Sequence, residues 1–116
     1  MNILVVGGAG YIGSHMVKLL GRRGCHVTTL DDLSSGHRDT VLAGDFIQGD
    51  MADAALLRNV FATRPYDAVM HFASFIEVGE SVREPAKYYR NNVANTLTLL
   101  AAMREAGVDR FIFSST

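Results

Sequence analysis

The sequence has little of several features that mark particular classes of protein. Its 116 residues include one cysteine and no tryptophan, and the formal net charge is −1. Cys25 has no cysteine partner for a disulfide or a metal site, which favours a reducing compartment such as the cytoplasm. The balanced charge favours neither nucleic acid nor an anionic membrane as a partner. No hydrophobic run is long enough to span a bilayer, and the start of the chain lacks the basic segment of a signal peptide.

Short β-rich runs alternate along the chain with longer stretches of helical spacing. Strands are predicted at residues 3–6, 26–30, 45–49, 67–73 and 110–115. Helices are predicted at residues 12–23, around 56–61 and at about 85–106. This α/β alternation predicts a Rossmann-type, doubly wound parallel sheet with strand order 3-2-1-4-5. In that fold a ligand binds at the carboxyl ends of the strands, where the strand order reverses between strands one and four.

The third predicted helix has clear boundaries. Pro85 suits its first turn and Gly107 follows its last turn. Its apolar residues recur at helical spacing, which predicts a stripe buried against the sheet. The stripe consists of Tyr89, Val93, Leu97, Leu100 and Met103.

Four glycines in "VVGGAGYIGSH" follow the first predicted strand and open the first helix. They satisfy both Gly8-x-Gly10-x-x-Gly13 and Gly7-x-x-Gly10-x-x-Gly13. Glycine at position 7 or 8 permits a sharp turn, Gly10 lets a pyrophosphate approach the backbone, and Gly13 lets the helix lie close to the strand. The free N–H groups at the start of the helix attract phosphate. Because the motif joins a strand to a helix, it predicts dinucleotide binding rather than a simple turn.

Acidic residues follow the second and third predicted strands. Asp31 lies near the ~20-residue spacing expected for the acid that binds the ribose of a dinucleotide. A carboxylate there accepts hydrogen bonds from ribose hydroxyls and repels a 2′-phosphate, which favours NAD over NADP. The alternative is that Asp31 and its neighbour Asp32 are ordinary loop acids. Asp50 either contacts the adenine or caps the second helix, and the two roles are compatible.

Several segments together resemble a known family: GGAGYIGSH, DDLSSGH, GDMAD, HFASFIEVGESVREPAKYYRNNVANT and FIFSST. They are similar to the extended short-chain dehydrogenase/reductase superfamily, and within it to the UDP-glucose (UDP-galactose) 4-epimerases. The resemblance runs from Met1 to Thr116. The glycine motif is shared by the whole superfamily, whereas the pattern VGESV-x-x-P-x-x-YY-x-NN over Val78–Asn92 is far more specific to the epimerases.

The resemblance implies NAD as the cofactor and a UDP-hexose as the substrate, whose C4 is oxidised transiently to a ketone and then reduced on the other face. It also implies that Thr116, at the end of strand five, hydrogen-bonds the reacting hydroxyl. The family's cofactor-binding positions match Gly7, Gly10, Tyr11, Ile12, Gly13, Asp31, Asp32, Asp50, Met51, Phe72, Ala73, Ser74, Asn91 and Ser114.

The sequence departs from the family pattern at two points. Many of these epimerases carry a lysine that reaches the cofactor phosphates in the loop after "HFA", and this chain has Ile76 there. The family's catalytic base is a tyrosine followed four residues later by a lysine, and the 116 residues contain no such pair. We therefore expect residues 1–116 to be an incomplete NAD-binding Rossmann domain, truncated after strand five, with the base and the substrate domain lying beyond Thr116.

The resemblance further implies a homodimer, because in the family the long helices around strand five pair with those of a second subunit. Two alternatives remain open at this stage. One is a nucleotide-sugar 4,6-dehydratase or a decarboxylating enzyme of the same superfamily. The other is a non-catalytic module that senses NAD.

Overall fold

A computed structural model of the protein describes residues 1–8, 11–33, 44–72 and 85–113. The elements within these residues are, in chain order, β1 (Asn2–Val6), α1 (Tyr11–Arg22), β2 (His26–Asp31), β3 (Asp45–Gln48), α2 (Ala54–Thr63), β4 (Ala68–His71), α3 (Pro85–Ala106) and β5 (Phe111–Phe113). The strands form one parallel sheet in the order β3-β2-β1-β4-β5. The predicted fold class and strand order are confirmed.

Strand β1 lies at the centre of the sheet and is paired on both sides. Its last residue, Val6, stands opposite Leu30 of β2 and His71 of β4. Because all pairs are parallel, the carboxyl ends of β1, β2 and β4 share one edge of the sheet. The strand order reverses at β1, so this edge is where a ligand of such a fold binds.

The unbroken apolar sequence of β1 covers both faces of the sheet, because successive side chains of a strand point to opposite sides. Leu4 and Val6 enter the core on the face covered by α2 and α3. Ile3 and Val5 pack with Val17 of α1 on the other face. Burial of each of these side chains stabilises the fold by about 1.5–3 kcal/mol, so β1 contributes to two separate cores.

The ends of the helices follow local side-chain and glycine chemistry. The Asp53 carboxylate accepts a hydrogen bond from the Leu56 amide at 3.1 Å and so caps α2. The cap considered for Asp50 is therefore supplied by Asp53. Helices α1 and α3 both end at a glycine with positive φ, Gly24 at 81° and Gly107 at 76°. Glycine is the usual residue in this position, and Gly107 is the one expected at the end of α3.

The predicted buried stripe of α3 is wrong over most of its length. Leu97 is 60% exposed and Val93 is 40% exposed, whereas Leu99 and Met103 are buried. The reason is that α3 carries apolar residues on two faces, and helical spacing alone does not tell which face meets the sheet. The side chain of Tyr89 lies outside the described residues.

Candidate functional site

The chain leaves β1 through a turn that requires glycine. Gly7 has a φ of 83°, in the left-handed region where a side chain is strained. Its amide donates a hydrogen bond to the Leu30 carbonyl at 2.7 Å, which holds the turn against the end of β2. Of the two positions considered for the sharp turn, position 7 is the one with the unusual backbone.

Helix α1 begins in close contact with this turn. A Cβ atom on Gly13 would collide with the Gly7 carbonyl, so a larger residue would force the helix away. A Cβ on Gly8 would lie 2.5 Å from Thr29 Cγ2 and 2.9 Å from its Oγ1. The close approach expected of Gly13 is thus present, and the start of α1 is held at the carboxyl edge of β1. The N–H groups in the first turn of a helix point toward its N-terminus, which makes this edge suitable for an anion.

Asp31 is the last residue of β2 and is half-buried. Its Oδ1 accepts a hydrogen bond from the Leu33 amide at 2.7 Å, which fixes the carboxylate at the edge of the sheet. Leu33 itself has a φ of 64°, a strained backbone that costs a leucine roughly 1–2 kcal/mol. Nothing in the sequence predicts this strain, because a leucine carries no signal for it. Asp32 is exposed beside Asp31.

The segment after β3 adds another acid to the same edge. The Gly49 amide donates to the Asp31 carbonyl at 3.0 Å, so the ends of β2 and β3 lie together. Asp50 is exposed, and its Oδ1 accepts a hydrogen bond from the Ala52 amide at 2.9 Å. Met51 is only 8% exposed and packs in the core beneath α2 and α3. Of these two predicted cofactor-binding residues, Asp50 is therefore the one whose side chain faces outward.

The end of β4 borders the site on its other side. The Phe72 amide donates to the Val6 carbonyl at 2.7 Å, so the chain stays beside β1 past the last residue of the strand. Phe72 is half-buried and packs on the α1 face, so part of its side chain belongs to the core.

His71 also lies at this edge, and it was not among the predicted site residues. It is 1% exposed, and burial lowers the pKa of its imidazole to about 4, although an interaction with its own backbone opposes the effect. Its Nε2 lies 3.3 Å from the Met51 sulfur. A histidine that ends the apolar run "AVMH" was the available signal.

Not every predicted site residue is described. Tyr11 and Asn91 lie within α1 and α3, but their side chains are outside the described residues. Ile12, in the first turn of α1, is 40% exposed. The predicted positions outside the described residues are Gly10, Ala73, Ser74, Ser114 and Thr116, together with Ile76.

The arrangement suits an elongated ligand with an anionic centre and hydroxyl groups. The glycine turn and the N-terminus of α1 favour phosphate at the end of β1. Asp31, Asp32 and Asp50 offer acceptors at the ends of β2 and β3. In the described ranges no cluster of histidine, cysteine or acidic side chains is suited to a metal ion. The helices found there are too short or too polar to cross a membrane.

The chain is similar to known protein families and to curated sequences over almost its whole length. The profile described as "NAD dependent epimerase/dehydratase family" matches residues 3–116. A UDP-glucose 4-epimerase of Rhizobium meliloti (strain 1021) is 52% identical over 115 residues, which are 99% of this chain and 35% of the relative. The chain thus spans about a third of the length of the curated relatives that it matches.

Solved structures of epimerases also have a similar fold. A UDP-glucose 4-epimerase from Brucella ovis in complex with NAD has a TM-score of 0.93 and 51% identity, covering 98% of this chain and 35% of the other. A UDP-glucose 4-epimerase from Thermotoga maritima with UDP-glucose has a TM-score of 0.92 and 40% identity, covering 100% of this chain and 38% of the other.

Proposed function

Since the chain belongs to the NAD dependent epimerase/dehydratase family, we propose that it forms the NAD-binding part of a UDP-hexose 4-epimerase. Residues 1–116 then make up one Rossmann domain. The observation that carries the proposal is the row of groups along one sheet edge: the Gly7 turn after β1, Asp31 after β2 and Asp50 after β3. The similarity to epimerases of this name at about 50% identity supports the same reaction.

The shape of the edge fits a dinucleotide. Gly13 leaves no room for a Cβ against the Gly7 carbonyl, so the backbone at the start of α1 lies where a pyrophosphate would meet it. The Asp31 carboxylate, fixed by the Leu33 amide, is placed for the hydroxyls of the adenosine ribose. Its negative charge favours NAD over NADP, because a 2′-phosphate would be repelled.

The remaining predicted contacts would complete the cofactor site. Asp32 and Asp50 provide further acceptors on the adenosine side, and Phe72 provides an apolar surface at the end of β4. Toward the nicotinamide, the proposed contacts are Ala73, Ser74, Asn91 and Ser114. With Ile76 in place of a lysine, the phosphates depend on the backbone amides and the dipole of α1.

When bound, NAD supplies an acceptor for hydride from C4 of the sugar and returns it. We assign to the Thr116 hydroxyl a hydrogen bond to the reacting sugar hydroxyl, since a hydroxyl both donates and accepts as the proton moves. A threonine hydroxyl is too weak a base to remove that proton itself at neutral pH. The 116 residues contain no tyrosine followed four residues later by lysine, so we expect them to bind NAD without turnover.

The proposed substrate is a UDP-hexose, in line with the UDP-glucose bound to the Thermotoga maritima structure. The proposed partner is a second copy of the protein. Helix α3 supports that partner, because Val93, Leu97 and Leu100 leave apolar side chains exposed at helical spacing on one face. The proposed compartment is the cytoplasm, where Cys25 remains a free thiol.

Calorimetric titration with NAD and NADP tests the cofactor assignment. We expect NAD to bind more tightly than NADP, and Asp31→Ala to weaken NAD binding by roughly 1–3 kcal/mol, the scale of a lost hydrogen bond to a charged group. Asp109→Ala is the matched control, because Asp109 is an exposed acid just before β5, at the opposite edge of the sheet. Equal affinity for NAD in the Asp31 variant and the parent would contradict the assignment.

The reaction itself is tested by chromatography of UDP-glucose and UDP-galactose after incubation with NAD. Residues 1–116 alone are expected to leave either sugar unchanged. A fusion of residues 1–116 to the remaining part of a relative, which carries the tyrosine and lysine, is expected to interconvert the two sugars. Turnover by residues 1–116 alone would show that the proposed division of roles is wrong.

A further inference from the structure

His71 occupies the position where the two halves of the sheet meet. It is the last residue of β4 and stands opposite Val6, the last residue of β1. Its side chain is almost fully buried, yet the proposed reaction does not use it. The ring stacks on Phe113 of β5, with centroids 5.2 Å apart and planes inclined by 15°. The imidazole therefore connects the central strands with the edge strand.

The contact with Met51 bears on which ring nitrogen carries the proton. Burial keeps the imidazole neutral at physiological pH, since its pKa is lowered to about 4. A neutral imidazole has one N–H, and a thioether sulfur only accepts. With Nε2 lying 3.3 Å from Met51 Sδ, this contact favours the tautomer that carries the proton on Nε2. Nδ1 is then the acceptor nitrogen, and it has no hydrogen-bond partner within the described part of the chain.

Met51 is the buried anchor of the segment that presents Asp50. On one side the segment is tied to β2 through the Gly49 amide and the Asp31 carbonyl. Its own turn is closed by the bond from the Ala52 amide to Asp50 Oδ1 at 2.9 Å. On the other side, the Met51 sulfur meets His71 of β4. His71 thus contacts the buried side chain that directly follows Asp50 in the chain.

We propose that His71 is a positioning residue of the cofactor site, which acts through Met51 to hold Asp50 for the adenine half of the dinucleotide. The inference rests on the proposed NAD-binding function and extends it to a residue that does not touch the ligand. The chemistry required is one N–H directed at a sulfur from a ring that stays uncharged.

The test compares the binding of ADP-ribose, which is NAD without its nicotinamide and so keeps the whole adenosine side, in the parent and two variants. His71→Phe keeps a ring to stack on Phe113 but removes the N–H, and we expect about three- to tenfold weaker binding, the scale of one lost hydrogen bond. His71→Gln places an amide N–H near the position of Nε2, so we expect it to restore affinity to within about twofold. Equal binding by the Phe variant and the parent, or equal loss in the Phe and Gln variants, would overturn the inference.

Met51→Leu checks that the effect passes through the sulfur, because leucine fills a similar volume without an acceptor. We expect it to weaken ADP-ribose binding as His71→Phe does, with no additional loss in the double variant. Met103→Leu is the control, since Met103 is buried in the same core but lies in the last turns of α3. Additive losses, or an equal loss in the control, would overturn the inference.

A spectroscopic measurement separates positioning from simple packing. Nitrogen-15 NMR of labelled histidine is expected to show the proton on Nε2 of His71 at neutral pH, and a proton on Nδ1 would overturn the inference. A parent that binds neither NAD nor ADP-ribose would overturn the proposed function together with this inference. A parent that binds both while the His71 variants are unchanged would overturn the inference alone.

Discussion

At the scale of single residues, the buried His71 makes stability depend on pH. Its pKa is about 4 in the folded protein against 6.5 in an exposed histidine. As the pH falls below 6.5, the unfolded chain therefore takes up a proton that the folded chain resists. The contribution is fully favourable above pH 6.5 and is lost progressively as the pH falls to about 4.

We therefore expect the free energy of unfolding to fall by about 3 kcal/mol across this interval because of His71 alone. In His71→Phe, which has no group to titrate, this part of the decline should disappear. Urea unfolding of parent and variant at a series of pH values measures it as the difference between two profiles. Parallel profiles would show that the imidazole is protonated as readily in the folded state as in the unfolded state.

Gly13 and Gly107 illustrate two different reasons why a position requires glycine: lack of space for a side chain and a positive φ. At Gly13 a Cβ would collide with the backbone of Gly7, whereas at Gly107 the surrounding space is open and only the φ of 76° disfavours a side chain. We expect Gly13→Ala to lower the free energy of unfolding by about 3 kcal/mol. Gly107→Ala should lower it by about 1 kcal/mol.

The Gly13→Ala and Gly107→Ala variants also distinguish an effect on stability from an effect on NAD binding. Gly13→Ala is expected to weaken NAD binding under conditions where the variant is folded, because the displaced helix moves its N–H groups away from the phosphates. Gly107→Ala changes a residue that directly follows α3, away from the start of α1, and should leave NAD affinity unchanged. If calorimetry gave equal affinities for both variants, α1 would not be the phosphate site.

At the scale of elements, β2 is unusual for a buried strand because it carries two threonines. Thr28 and Thr29 are 2% and 0% exposed, and neither hydroxyl has a hydrogen-bond partner among the residues that the structure describes. A buried hydroxyl without a partner is destabilising relative to an apolar group of the same shape.

Thr28→Val is therefore expected to raise the free energy of unfolding by about 1 kcal/mol. Thr98→Val is the control, since the Thr98 hydroxyl donates to the Ala94 carbonyl at 3.0 Å on a more exposed helix face. That variant should change stability little or reduce it. Chemical denaturation of the two variants measures both free energies of unfolding. A destabilised Thr28→Val would mean that the Thr28 hydroxyl has a partner, such as a buried water.

The elements were predictable where one local signal sufficed. The apolar run of β1, Pro85 at the start of α3 and Gly107 at its end each specify a boundary by chemistry within a few residues. The buried face of α3 was not predictable, because it depends on which of two apolar stripes meets the sheet. In the candidate site, the glycine turn at Gly7 and the position of Asp31 at the end of β2 could be predicted from the spacing of the motif. The His71–Met51 contact could not, since it joins residues 20 positions apart through the packing of two strands.

At the scale of the whole molecule, the exposed stripe of α3 bears on assembly. Val93, Leu97 and Leu100 are 40%, 60% and 37% exposed. In a twofold interface each residue is used twice, so a charge in place of Leu97 removes two buried leucines, or about 4 kcal/mol.

We expect Leu97→Glu to shift a dimer to monomers at micromolar concentration, as measured by light scattering. Leu19→Glu is the matched control, because Leu19 of α1 is similarly exposed at 45% but lies on the opposite face of the sheet. The experiment is made on the protein extended by the tyrosine- and lysine-bearing segment, since the neighbouring helix after strand five takes part in the proposed interface. A monomeric parent, or dissociation in both variants, would contradict an interface on α3.

The central place of β1 also governs the order in which the sheet can be assembled during synthesis. Its β2 partner begins at residue 26, whereas its β4 partner begins only at residue 68. A nascent chain can therefore close the short loop through α1 and pair β1 with β2 while the other side of β1 still has no strand beside it. Closing the longer loop costs more chain entropy and waits for later residues. Until β4 emerges from the ribosome, the apolar edge of "ILVV" is open to wrong partners, and this interval is when the chain most needs a chaperone.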